Sequence, residues 1–217
     1  MAEQKSTLTS KEQGIFDAEW DPFLTRHFRS REVIDIFQDH KASIQESIEI
    51  AKYELESDFG GVNARTNEFG WMPIMPNFLL ATSAPAYSTS TWNRYITTAN
   101  VSSRWIDWIG SSSASLALSK YGTMILLGFY DPVEEPKVGG VMAEIKGVKY
   151  PMWYYEDMIV DTDYPIYELP TPIVVEKEQE IYLQTYCLQA GLDKTRPVGL
   201  YFIKGSEMRN KTAYAQT

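Results

Sequence analysis

From about residue 69 to residue 205, apolar residues recur at every second position in short runs, with turn-forming residues between them. A period of two sends alternate side chains to opposite faces of a strand. Such a stretch must build sheets, and each apolar sheet face needs a second layer over it. The runs fall at 77–82, 94–101, 115–119, 123–130, 138–145, 149–155, 166–169, 173–176, 180–187 and 198–203. The clearest alternation sets Ile181, Leu183, Thr185 and Cys187 against Tyr182, Gln184 and Tyr186, while 123–130 is almost continuously apolar and is expected to be a central strand. Breaks come at Asp131-Pro132, Lys146-Gly147, Pro170-Thr171-Pro172 and Gly191. No helical period intervenes, so two packed sheets are expected over 69–205, a β-sandwich of jelly-roll type.

The chain before this stretch reads differently. Ser30 supplies a hydroxyl able to cap free amides, and Val33, Phe37, Ile44, Ile48, Ala51 and Leu55 follow at spacings of three, four and seven. This predicts one long amphipathic helix over 30–60, of about 28 residues and about 42 Å, ended by Gly60-Gly61 and acidic on its other face. Residues 1–29 are polar with scattered apolar points and read as an N-terminal arm. Such a segment cannot build a core alone, so its aromatic residues are expected to dock onto this domain or onto a neighbour, with Phe16, Trp20, Phe23 and Phe28 the candidates for contacts between subunits.

The formal charge of −9 on 217 residues argues against a dedicated nucleic-acid binder, which needs a concentrated positive surface. Residues 206–217 form a basic C-terminal tail whose Arg209 and Lys211 are candidates for contact with a neighbour, a membrane or a genome. With Cys187 as the only cysteine, no disulfide can form within the chain. The opening Met-Ala-Glu-Gln-Lys lacks the apolar core of a secretory signal, so synthesis in a reducing cytoplasm is expected.

Catalytic constellations are sparse. His27, His40 and Cys187 are far apart and outside metal-ligand spacing, and Asp161-Thr162-Asp163 lacks the glycine and terminal glutamate of a calcium loop, so no metal and no cofactor are expected. Gly139-Gly140 lacks the following Lys-Ser/Thr of a phosphate cradle and reads as a bulge or tight strand packing. Cys187 reads as a small core residue. Glu134, Glu135, Glu144, Glu156 and Asp157 would be the carboxylates of a glycoside hydrolase, the least favoured function. Trp105, Trp108, Trp153 and Tyr155 could instead stack on sugar rings, which makes a carbohydrate-binding module the alternative function. Asn100 and Asn210 match the glycosylation acceptor pattern.

The C-terminal half runs Leu169-Pro-Thr-Pro-Ile-Val-Val-Glu-Lys-Glu-Gln-Glu-Ile-Tyr-Leu183 and later Arg196-Pro-Val-Gly-Leu-Tyr-Phe202. A proline-led strand, a charged turn and an alternating strand, behind a polar arm and a helix, resemble the single jelly-roll capsid proteins of tailless, membrane-containing viruses of archaea and bacteria. The resemblance covers roughly 77–205 and is one of layout. It implies a non-enzymatic subunit that assembles with copies of itself and other shell proteins into an icosahedral virion, with its terminal extensions clasping neighbours. The long acidic helix departs from that pattern and leaves a minor capsid, spike or tail component open.

Overall fold

The structure, a computed structural model, describes residues 8–79, 91–154 except 112, 114 and 134, and 166–208. The chain is mainly β, with two sheets packed face to face as a sandwich and a layer of helices on the outer side of one of them.

The inner sheet runs in the order β1 (Asp58–Phe59), β2 (Glu68–Pro73), β13 (Arg196–Lys204), β6 (Gly122–Tyr130) and β10 (Ile166–Val175). All neighbours are antiparallel except β1 and β2. The outer sheet runs β4 (Trp105–Ile109), β11 (Glu180–Cys187) and β7 (Val138–Ile145), with β5 (Leu116–Ala117) also on β11. β8 (Val148–Lys149) and β9 (Trp153–Tyr154) both lie along the far edge of β7, and Pro151, which has no amide proton to donate, falls in the gap between them. A separate ribbon pairs β3 (Arg94–Ile96) with β12 (Gly191–Asp193).

β6 is buried along its whole length and lies between β13 and β10, the central place that its unbroken apolar sequence required. Its Met124, Leu126 and Phe129 join the core between the sheets, whereas Ile125, Leu127 and Tyr130 join a second core beneath the helices. β13 alternates in the same way: Tyr201 and Ile203 face the outer sheet, and Val198, Leu200 and Phe202 face the helices. Runs 138–145 and 180–187 are strands as expected. The pairing of β11 with β7 slips between Tyr186 and Cys187, opposite Gly139, so that glycine marks a bulge. Runs 166–169 and 173–176 are joined in one strand, β10, an edge strand where Pro170 and Pro172 interrupt the pairing without ending it.

Several expectations fail. Residues 76–79 form a short helix, α4 (Pro76–Leu79), not the start of a strand, and 98–103 form α5 (Thr98–Ser103). β2, β4 and β12 are strands absent from the expected runs. The N-terminal arm is not an arm: α1 (Ser10–His27) is a capped helix, with Thr9 and Glu12 forming a reciprocal box at its start. Its Phe16, Trp20 and Phe23 are at most 3% exposed and pack around Trp71 of the inner sheet, with ring centroids 5.3, 5.7 and 5.1 Å away. They are core residues of their own chain, not contacts between subunits. Phe28 is half-buried against Phe37, 4.5 Å away.

The single long helix is instead two, α2 (Arg31–Asp39) and α3 (Lys41–Leu55), broken at His40. Ser30 does cap the first, accepting a hydrogen bond from the Val33 amide, and every apolar position singled out from Val33 to Leu55 is buried. α2 lies against β10 and β6, and α3 against β6, β13 and β1, so the two segments cross the sheet from one edge to the other. α3 ends at Glu56, which takes the left-handed conformation at φ 48, and not at Gly60-Gly61; Gly61 follows β1 at φ +65, where a side chain would also collide with Glu19. Residues 205–208 are helical, and Met208 enters the core between the sheets, so the tail does not begin at 206.

Candidate functional site

Among the described residues, one large sheet face is left uncovered, the outer face of the outer sheet. On β4, Ile106 and Trp108 turn inward while Trp105 and Asp107 turn outward. On the neighbouring β11, Tyr182, Gln184 and Tyr186 alternate with the buried Ile181, Leu183, Thr185 and Cys187. Antiparallel pairing then sets Trp105 opposite Tyr186 and Asp107 opposite Gln184.

These side chains hold one another. The rings of Trp105 and Tyr186 are 5.3 Å apart, and Arg104 Nη1 donates to Tyr186 Oη at 3.0 Å. Tyr182 Oη donates to Asp107 Oδ1 at 2.6 Å, and Gln184 Nε2 to the same oxygen at 3.3 Å. The face therefore presents an aromatic pair beside a fixed carboxylate and amide, groups suited to hydrogen-bonding a polyhydroxylated or peptidic surface. Farther along lies a polar hollow of about 660 Å³ bounded by Ser111, Ser113, Glu144, Lys149, Glu180 and Tyr182. A second hollow of about 680 Å³ opens where α1 hands over to α2. It gathers His27, Arg29, Arg31 and Arg196 around Trp92 and Tyr130.

Of the four aromatic residues expected to stack on sugars, the structure leaves Trp105 available. Trp108 and Trp153 are 2% and 6% exposed and pack on either side of Phe129 in the core, at 5.9 and 5.5 Å, so they cannot form a platform. Tyr155 lies outside the described residues, as do Arg209 and Lys211. Tyr186, Tyr182 and Asp107 were not singled out as site residues. The signal for them was the alternation of 180–187, which identifies an outward-facing row without naming the strand beside it.

The two described hydrolase carboxylates, Glu135 and Glu144, do not converge. Glu135 precedes β7 and pairs with Lys137, whereas Glu144 near the other end of that strand pairs with Lys149. They are roughly 25–30 Å apart along the chain, far beyond the span of a glycosidase pair. Glu134, Glu156, Asp157 and the Asp161-Thr162-Asp163 stretch lie outside the described residues. Among the described residues no group of three or more His, Cys, Asp or Glu could hold a metal ion.

The His27 ring lies tilted against Phe23 at 4.7 Å, and burial, with Arg26 beside it, lowers its pKa. His40 Nε2 lies 2.9 Å from Glu168. Cys187 is a core residue, its thiol pushed up to about 11 chiefly by burial. Asn100 is used within its own chain, its side chain accepting from the Thr97 amide and hydroxyl at the start of α5. No described helix is long and apolar enough to cross a membrane. Comparison of the chain with family models, curated proteins and solved structures returned no match.

Proposed function

We propose that the chain is a structural subunit built on a jelly roll that assembles with copies of itself, as the shell protein of a virus does. The observation that carries this reading is the strand order, β2-β13-β6-β10 in one sheet and β4-β11-β7-β9 in the other. Every pair within those two rows is antiparallel. Following these eight strands in sequence, the chain changes sheet at every step except from β7 to β9, the winding of two interleaved Greek keys. Such a body is a rigid block with many edges and loops available for contact. Tyr53, Tyr95, Val148 and Leu192, each between 46% and 72% exposed, supply apolar points that a neighbour would cover.

Light scattering of the full-length protein over a range of concentration and salt tests this. Particles many times the mass of one chain, resolved as closed shells by electron microscopy, are the expected result. A strict monomer under every condition would overturn it. A second reading, a carbohydrate-binding module, is favoured by the Trp105–Tyr186 pair beside Asp107 and Gln184 on the open face. It expects retention on a polysaccharide column that is lost in Trp105→Ala, and a wild-type protein that passes through every such column removes it.

A further inference from the structure

Behind the β3–β12 ribbon lies a cluster of ionisable groups cut off from solvent. Arg94 and Asp193 face each other across the ribbon and form an ion pair, with Arg94 3% exposed and Asp193 wholly buried. The guanidinium also reaches outer-sheet residues, donating to Thr185 Oγ1 at 2.7 Å and lying 5.4 Å from the centre of the Trp108 ring. A second carboxylate, Asp131 at the end of β6, is also fully buried. Two carboxylates thus share the site with one guanidinium.

The hydrogen bonds divide them. Thr195 has one hydroxyl proton, and its Oγ1 stands 2.6 Å from Asp193 Oδ1 but 3.5 Å from Asp131 Oδ2. Asp193 therefore takes that proton as well as the Arg94 pairing and the Thr195 amide. Asp131 Oδ1 accepts from the Val133 amide, and among the described residues its Oδ2 has no donor nearer than the Thr195 hydroxyl. A proton on Asp131 itself would supply the missing bond, with the acid donating to Thr195 Oγ1.

We propose that Asp131 is the proton-binding member of a latch that ties the β3–β12 ribbon to the ends of the two sheets, closed while the acid is protonated and loosened when it ionises. With the proton present, the described groups of the buried site balance, one guanidinium against one carboxylate. Without it, the site holds an excess negative charge that water would solvate far better. Among the described residues, the charged and titratable groups facing the cluster are Asp193 from β12, Arg94 from β3 and Cys187 from β11, whose thiol stays neutral. Arg196 at the start of β13 lays its guanidinium over the Tyr130 ring. Burial first, and then the Asp193 charge, raise Asp131 to about 7. The ribbon carries Tyr95 and Leu192 as an exposed cross-strand pair, so the latch governs how firmly an apolar surface is presented.

The sign follows from proton linkage. A carboxyl that holds its proton more tightly when buried favours the closed form at low pH, and that advantage is lost as pH rises from the ordinary carboxylate range to about 7. Hydrogen exchange of the full-length protein, corrected for the intrinsic pH dependence of exchange, should show the ribbon amides of 94–96 and 191–193 opening about tenfold more readily at pH 8 than at pH 6. Asp131→Asn, which keeps a donor on that side chain, should show no such change. Equal protection of the wild type at both pH values, or the same loss in Asp131→Asn, would overturn the latch. Should the variant not fold, carboxyl-carbon NMR of the wild type decides: one aspartate titrating near neutrality is expected, and ordinary titration of every aspartate refutes the proposal.

Discussion

Glu12 is 2% exposed, yet it serves three elements at once. Its carboxylate accepts from the Thr9 amide and hydroxyl at the start of α1, from Lys52 Nζ of α3 at 2.7 Å and from the Phe59 amide of β1 at 2.9 Å. Burial by itself would raise its pKa, but Lys52 and these donors outweigh burial and hold it at about 2. The stability it contributes is fully present above the ordinary carboxylate range and is lost as pH falls from 4.5 toward 2, the opposite sign to Asp131. Glu12→Gln should therefore lower the unfolding free energy by about 2–3 kcal/mol near neutral pH. Urea titrations of both proteins should converge as the acid limb is approached. The Thr9-to-Glu12 spacing is visible in the sequence as a helix-start pattern. The bonds to Lys52 and Phe59 are not, because those partners lie 40 and 47 residues away. Trp105 and Trp108 look alike in sequence for a related reason: only the partner strand decides which of them faces water.

Among the elements, α1 shows how a local signal can be overlooked. Phe16, Trp20, Phe23 and Leu24 are spaced for one helical face, but polar neighbours and Pro22 hide the stripe in a sequence that also reads as an arm. Once docked, the stripe covers Trp71, so α1 belongs to the core. Deleting residues 1–29 should consequently leave a chain that does not unfold cooperatively, and Trp20→Ala alone should cost about 3–5 kcal/mol. Thermal denaturation followed by tryptophan fluorescence checks both, and a cooperative, nearly unchanged transition in the deletion variant would restore the arm. Ser30, the buried positions from Val33 to Leu55, β6, β7 and β11 were legible because each rests on capping or periodicity. The break at His40 was not, because the apolar spacing runs on through it from Phe37 to Ile44 without a glycine or proline to mark it.

At the scale of the whole molecule, composition and period were enough for a sandwich with a helical segment ahead of it. Strand order was beyond their reach, since alternation says which side of a strand is buried and nothing about which strand lies next to it. Which sheet the helices cover was hidden for the same reason: the inner sheet needs apolar residues on both faces, and only the uninterrupted run of β6 and the pattern of β13 betray it. The position of β13 between β2 and β6 also bears on how the chain acquires its structure. Of the described strands, the one that joins the two parts of the inner sheet is the last to leave the ribosome. Until residues 196–204 emerge, β2 has no long partner, and the aromatic side of α1 has no completed floor to settle on. Folding must then wait until residues 196–204 have emerged, with Trp71 and its neighbours exposed in the meantime. A nascent chain of this design depends on chaperones or on rapid closure more than one whose early segments fold as they appear.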